Sequence, residues 1–348
     1  MNLGSYTAIP SSELAGLLDA ARREIAAEAA GLGMPKLAEI VLGGGYGRGE
    51  GGVRHTPAGD RLYNDLDFFV FSDRANKRER RAIEAALKPI SLRGEEKLGV
   101  AVDFSPVKNL SSLTKVGSTL MYQELRRGWK PVLGDGEFEK HFPELDAARL
   151  PVSEAVRLLL NRGMGLVFAG EAIRKNGDAD FIMRTLHKSV LGGGDAMLLA
   201  AGQYRWRGAD RVEAFREYAA VQKLSPGFAD SYAAAFRYKI EPDPRLPEDP
   251  PGMWRNCRAL YLEAAARVAG GGTAAETVTA GLRAAVKEER SFKNFLRWTL
   301  RRGGARPLDE AFDTPLATVC CMIYRLLAGS EDAPDCPAGL RRLWSIFN

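Results

Sequence analysis

Apolar residues recur at helical spacing in two stretches of the first 150 residues. The first stretch covers 11–32, where Ser11 or Ser12 can cap the first turn of a helix. The second covers 75–90, and because proline lacks an N–H and clashes with the preceding turn, Pro89 is expected to end that helix. These two patterns predict amphipathic helices.

Short runs of aromatic and aliphatic residues predict strands between and after these helices. They are KLAEIVL, LDFFVF over 66–71 and KLGVAVDFSPV, in which Val102 and Phe104 share one face and Asp103 lies on the other. Residues 118–135 are typical of a helix followed by a fourth short strand, WKPVLGD. Alternating helices and strands predict an α+β domain over residues 1–150.

The strand pattern stops after residue 150, and the rest of the chain is typical of helices. One helix is predicted from Ser153, and another over 178–204 that three consecutive glycines at 192–194 would loosen. Residues 241–252 contain five prolines and are predicted to form a loop, a candidate boundary between two helical subdomains. The sequence therefore predicts an all-α domain over residues 151–348.

Composition and charge exclude several classes of protein. Hydrophobic residues make up 45% of the chain and charged residues 27%, which is ordinary for a globular protein and excludes wholesale disorder. We find no secretion signal and no apolar run of the length of a membrane span, so a cytoplasmic protein without a membrane partner is expected. The four cysteines lack the spacing of a zinc site and are expected to be buried packing residues.

The net charge of +5 lies in the second half of the chain. Residues 1–150 contain 21 Lys+Arg and 21 Asp+Glu, whereas residues 151–348 contain 28 and 23. An excess of this size favours an anionic ligand without indicating nucleic acid.

The stretch VLGGGYGRGEGGVRHTPAGDRLYNDLDFFVFSD, residues 41–73, combines glycines with carboxylates. A strand leads into Gly44 and Gly45, where the absence of side chains lets backbone N–H groups approach a phosphate, especially if a helix begins there. Strand geometry then predicts that Asp65 and Asp67 share one face about 6–7 Å apart. Asp103 is the carboxylate in the apolar run of the next strand. Carboxylates this close repel each other unless a cation lies between them, so Mg2+ or Mn2+ is the predicted cofactor.

These residues resemble the nucleotidyltransferase superfamily that includes DNA polymerase beta. Its signature is an apolar residue and a Gly pair, followed by Asp-x-Asp in the next strand and a third Asp in a later strand. The string GGYGRGE, from Gly44 to Glu50, together with NDLDFFVF is most similar to the bacterial uridylyltransferases that modify nitrogen-signalling proteins. The resemblance covers residues 38–107.

The resemblance implies a polymerase-beta-like catalytic domain with a short mixed sheet, followed by helices that close over the nucleotide. Gly44 and Gly45 would bind an NTP, and Asp65, Asp67 and Asp103 would bind metals and activate an acceptor hydroxyl. The interval between Gly45 and Asp65 is longer than the family's usual one, which predicts an extended loop over 46–64 that shapes the acceptor site or covers the nucleotide.

Four further residues have both a functional and a structural interpretation. Arg48 either contacts phosphate or forms an ion pair with Glu50. Lys188 and Arg184 lie four residues apart on one predicted helix face, and relatives send a lysine from such a helix to the triphosphate; otherwise the face is merely solvated. Arg162 interrupts an apolar helix and is a candidate to point into a cleft.

We therefore expect a metal-dependent enzyme that transfers an NMP group from an NTP, in the first instance ATP, to a hydroxyl group and releases pyrophosphate. The acceptor is left open among a small molecule, a protein and an RNA. The alternative is a protein of the same fold that binds nucleotide as a sensor and has no turnover.

Overall fold

The N-terminal part of the chain is built around a mixed five-stranded sheet. The structure, a computed structural model, describes residues 5–289, 292, 296 and 313–347. Its strands are β1 Leu37–Leu42, β2 Val53–Thr56, β3 Gly59–Leu62, β4 Leu66–Ser72, β5 Val102–Phe104, β6 Lys108–Asn109 and β7 Lys130–Leu133. The sheet has the order β5-β4-β1-β7, with β6 also paired to β4, while β2 and β3 form a separate hairpin. Strand β4 is parallel to β5 and β6 and antiparallel to β1.

Among the residues that the structure describes, five α-helices accompany this sheet. They are α1 Ser12–Gly31, α2 Gly44–Arg48, α3 Lys77–Leu98, α4 Leu113–Val116 and α5 Leu120–Arg127. Alternation along β4 sends Phe68 and Val70 into a core with α1 and α3, and Phe69 and Phe71 into an aromatic core that includes residues of α4 and α5. Both faces of the sheet are therefore covered, and this part of the chain has the predicted α+β architecture.

The predicted first helix and the first two strands are confirmed, and Ser11 is the N-cap of α1. The prediction that Pro89 ends the next helix is wrong. Helix α3 continues to Leu98 because its buried face includes Ile90 and Ser91, whose hydroxyl donates to the carbonyl of Val102 at 2.7 Å. Tertiary packing outweighs the hydrogen bond that proline removes, and β5 is consequently shorter than the predicted strand.

The prediction of an extended loop over 46–64 is also wrong, because this segment contains most of α2 and the β2–β3 hairpin. Val53 pairs with Leu62, and both are buried. Gly59, at φ +109°, closes the turn between the two strands. VRHT and GDRL each contain one large apolar residue, Val53 and Leu62, so neither shows the apolar–polar alternation that predicts a strand.

The C-terminal part of the chain is largely helical. Its helices among the described residues are α6 Ser153–Arg174, α7 Ala179–Ala200, α8 Gly208–Val221, α9 Phe228–Ile240, α10 Pro250–Val268, α11 Ala275–Ala285, α12 Pro315–Ala328 and α13 Ala338–Phe347. Helix α10 begins within the predicted 241–252 loop, with prolines in its first turn and Asp249 as its N-cap.

The three glycines of α7 do not loosen the helix, contrary to the prediction. A Cβ atom on Gly192 would lie 2.5 Å from Cγ of Arg162, and one on Gly194 would lie 2.4 Å from Cδ2 of Tyr232. The glycines therefore allow close packing of α7 against its neighbours.

The chain divides into two compact units. The first unit comprises Met1–Asp146 together with Arg237–Asp243, and the second comprises Ala147–Phe236 and Pro244–Asn348. Cys257, Cys320 and Cys321 are buried, as the packing interpretation predicts, whereas Cys336 is only half-buried. None of the helices in the described ranges is long and apolar enough to cross a membrane.

Candidate carboxylate and glycine-turn site

Residues 43–45 follow β1 and form the N-cap and first two residues of α2. They are called the glycine turn below. The N–H of Gly43 donates to the carbonyl of Asp67 at 2.8 Å, which joins this turn to β4. Gly44 has φ +60°, and a Cβ atom there would lie 2.1 Å from Oδ2 of Asp67. Both the backbone conformation and the Asp67 carboxylate therefore require glycine at position 44.

Helix α2 begins directly at the glycine turn. Gly43 is its N-cap residue, and the N–H of Gly47 donates to the carbonyl of Gly43 at 2.8 Å. A Cβ atom on Gly45 would meet only ordinary contacts, the nearest being the carbonyl of Glu50 at 3.5 Å. The packing therefore explains Gly44, while the proposed role of Gly45 in nucleotide binding stays a prediction.

Asp67 and Asp103 lie side by side on neighbouring strands. They are register partners in the parallel pair of β4 and β5, and both are exposed. Partial burial and the nearby negative charges of Asp65 and Glu95 raise the pKa of Asp103, and Lys88 opposes this effect. The negative charge of such an Asp is repelled by the neighbouring carboxylates, so binding of a cation or a proton stabilises it.

Asp65 lies one residue before β4 and is half-buried. Its charge acts on two groups, the carboxyl of Asp103 and the phenol of Tyr46, and raises the pKa of both. The charge of Asp65 thus acts on Asp103, while the shared metal site that the resemblance implies stays a prediction. The predicted separation of Asp65 and Asp67 assumed that both are strand residues, so that distance stays a prediction.

Tyr46 is a residue of this site that the sequence analysis missed. It is fully buried in α2, and its hydroxyl donates to the carbonyl of Gly52 at 2.8 Å and accepts from the N–H of Tyr63 at 2.9 Å. Burial is the main cause that raises the pKa of Tyr46 to about 12, so its hydroxyl is protonated at neutral pH and can both donate and accept. The sequence does contain a signal for this residue, since Tyr46 is a large aromatic residue among the four glycines of GGYGRGE.

Arg48 forms ion pairs with two carboxylates. Its Nε lies 3.7 Å from Oε2 of Glu50, and its Nη1 lies 3.2 Å from Oε2 of Glu124. Lys239, in the segment of α9 that belongs to the first unit, lies 3.6 Å from the same oxygen of Glu50. The ion pair between Arg48 and Glu50 that the structural interpretation predicts is therefore formed. A contact of Arg48 with phosphate stays a prediction. The pairs with Glu124 and Lys239 join distant parts of the sequence and could not be predicted from it.

The remaining candidates lie in the second unit. Lys188 is exposed on α7, and Arg184 lies one turn before it. Arg162, on α6, packs against Gly192. Their proposed approach to a nucleotide stays a prediction.

The carboxylates fit a magnesium ion that is shared with a phosphate ligand. Among the residues that the structure describes, no three His, Cys, Asp or Glu side chains are grouped as they would be around a metal ion. Mg2+ commonly takes only one or two carboxylates and completes its coordination with substrate phosphates and water. Asp67 and Asp103, with Asp65 nearby, are an oxygen-only donor set of this kind.

Comparisons of the chain with protein-family models, with curated proteins and with solved structures found no match.

Proposed function

We propose that the protein is a metal-dependent nucleotidyltransferase of the polymerase-beta-like class, which transfers an NMP group from an NTP to an acceptor hydroxyl. The observation that carries the proposal is the arrangement of Asp67, which contacts the glycine turn at Gly44 and is the register partner of Asp103. A turn that can approach phosphate and a pair of carboxylates thus occupy one end of β4.

The sheet topology supports the same proposal. The Gly pair follows β1, the Asp-x-Asp pair is at the start of β4, and the third Asp lies in β5, which is parallel and adjacent to β4. This is the order of elements that the family signature implies. The mixed sheet with helices on both faces is the scaffold expected for that class.

The carboxylates have different roles in the proposed reaction. Asp65 and Asp67 would hold the divalent cation, which when bound supplies positive charge that neutralises the triphosphate. Asp103, whose pKa is raised, accepts the proton of the acceptor hydroxyl. The hydroxyl oxygen then forms a bond to the α-phosphorus, the bond to the leaving oxygen breaks, and pyrophosphate is released. The remaining contribution of the protein is the positioning of the two reactants.

Thermal unfolding with ATP, CTP, GTP or UTP, each with and without Mg2+, tests the donor site. A ligand at 100 times its Kd stabilises by about 2.7 kcal/mol, which raises the Tm of a domain of this size by roughly 5–11 °C. We expect such a shift with at least one nucleotide, only with Mg2+, and its loss in Asp65→Asn and Asp67→Asn.

Asp73→Asn is the matched control, because this exposed carboxylate lies just after β4 and forms an ion pair with its neighbour Arg74. It should retain the shift. A panel with no Mg2+-dependent shift for any nucleotide would contradict the proposal. A shift in the wild type without pyrophosphate release across an acceptor panel would instead favour a nucleotide sensor of the same fold.

A further inference from the structure

Helix α2 contacts the segments that carry both members of the Asp65/Asp67 pair, through two different residues. Gly44, at its start, packs against the Asp67 carboxylate. Tyr46, two residues later, is fully buried and reaches the segment that immediately precedes Asp65. Helix α2 thus contacts both the β4 residue Asp67 and the segment that leads into Asp65.

The hydroxyl of Tyr46 joins three backbone groups. It donates to the carbonyl of Gly52 at 2.8 Å and accepts from the N–H groups of Tyr63 at 2.9 Å and of Asn64 at 3.4 Å. The side chain of Asn64 closes the same ring of contacts, since its Oδ1 accepts from the N–H of Gly52 at 2.7 Å.

The ring of Tyr46 packs directly against Gly51, where no side chain would fit. A Cβ atom on Gly51 would lie 2.0 Å from Cδ1 of Tyr46. The hydroxyl is consequently held in place by packing on one side and by hydrogen bonds on the other.

Asp65 is therefore fixed from both directions along the chain. On its N-terminal side, Tyr63 and Asn64 donate to Tyr46. On its C-terminal side, the N–H of Leu66 donates to the carbonyl of Ala101 at 2.9 Å, next to β5. Without the Tyr46 hydroxyl, the backbone before Asp65 would lose these two hydrogen bonds, while the bond from Leu66 to Ala101 would remain.

We propose that Tyr46 is a positioning residue for metal binding: its hydroxyl holds the backbone before Asp65 so that this carboxylate binds the divalent cation together with Asp67. The inference rests on the proposed function. Groups that orient a metal ligand typically change metal affinity by about 10- to 100-fold when they are removed.

The test compares Tyr46→Phe with Tyr261→Phe in the full-length chain. Tyr261 is a matched control, because it is also fully buried and its hydroxyl donates to a backbone carbonyl, that of Leu159 at 3.1 Å, in the second unit. Mn2+ alone is titrated and free Mn2+ is read by electron paramagnetic resonance. We expect Mn2+ binding to weaken by about 10-fold or more in Tyr46→Phe and to stay within about 2-fold of wild type in Tyr261→Phe.

Hydrogen exchange gives a second measurement that does not depend on metal. A peptide that contains Tyr63 and Asn64 should exchange faster in Tyr46→Phe than in wild type, and should be unchanged in Tyr261→Phe. In the Asp65→Asn background, Tyr46→Phe should cause no further loss of Mn2+ binding, because the two residues act through one carboxylate. If Tyr46→Phe does not fold, Asn64→Ala, which removes the bond to Gly52, should weaken Mn2+ binding in the same direction.

The outcomes separate the two proposals. Wild-type protein that binds Mn2+ through Asp65, with Tyr46→Phe binding it equally well, overturns the positioning role and leaves the proposed function intact. Wild-type protein that binds no Mn2+ overturns the positioning role, and it overturns the proposed function as well if the nucleotide panel shows no Mg2+-dependent shift. Mn2+ binding that Asp65→Asn and Asp67→Asn leave unchanged overturns both proposals.

Discussion

At the residue scale, the side chains around the glycine turn restrict one another's identity. Gly44 is required both by its positive φ and by the Asp67 carboxylate, which fills the position of its missing Cβ. Asp103 has a raised pKa because it is partly desolvated and because the carboxylates of Asp65 and Glu95 lie nearby. Both observations lead to predictions about single substitutions.

Gly44→Ala should separate backbone strain from displacement of Asp67. A non-glycine residue in the left-handed region costs about 1–2 kcal/mol, so Gly44→Ala should lower the free energy of unfolding by at least this amount. Gly99→Ala is the control, since Gly99 has φ +69° with nothing within 4 Å of a Cβ atom. Both variants should lose stability in urea unfolding, but only Gly44→Ala should lose the Mg2+-dependent nucleotide shift. A retained shift would mean that Asp67 does not need its contact with the glycine turn.

The stability difference between wild type and Asp103→Asn should depend on pH. Below the usual pKa of 3.8, Asp103 is protonated in both the folded and the unfolded chain and causes no repulsion. As the pH rises through the raised pKa of the folded state, that carboxyl ionises beside Asp65 and Glu95, and wild type loses stability relative to the variant. The Tm of Asp103→Asn minus that of wild type should therefore increase between acidic and neutral pH and then level off. A difference that is constant with pH would contradict the raised pKa.

At the element scale, periodicity predicted which segments are helices or strands better than where they end. Helix α1 and strands β1 and β4 follow their patterns closely. Helix α3 passes through Pro89, and the β2–β3 hairpin replaces an expected loop, because packing of Ile90 in one case and strand pairing in the other outweighs the local signal. The low helix propensity of glycine predicts a loosened α7, but the close packing of its glycines against neighbouring side chains decides their role.

Gly194→Ala and Gly16→Ala should change stability in opposite directions. Both glycines lie inside helices, where alanine is favoured by about 0.5–1 kcal/mol. Gly16, on α1, has nothing within 4 Å of a Cβ atom, so its variant should gain about this amount. A Cβ atom on Gly194 would lie 2.4 Å from Tyr232, and overpacking of this kind costs about 1–3 kcal/mol. Urea unfolding should thus show Gly16→Ala above wild type and Gly194→Ala below it; equal gains would show that α7 can move apart without cost.

At the scale of the whole molecule, membership of a compact unit does not follow the order of the chain. The first unit includes Arg237–Asp243, which is separated in sequence from the rest of it by the first helices of the second unit. The hydroxyls of Tyr63 and Tyr238 lie 2.9 Å apart, and Lys239 pairs with Glu50. The last turn of α9 therefore contacts the segments that directly follow the β2–β3 hairpin and α2.

The sequence by itself determined the α+β-then-helical order of the chain and indicated the three aspartates and the glycine turn. Periodicity and short motifs are local properties, so they can be read without knowing which segments meet. Only the tertiary structure decided that Asp67 lies against Gly44 and opposite Asp103. It also decided that the Tyr46 hydroxyl accepts a hydrogen bond from the backbone of Tyr63, two residues before Asp65, and that Glu124 pairs with Arg48. Each of these contacts joins residues from different elements, and sheet pairing and core packing, which act across the whole chain, bring them together.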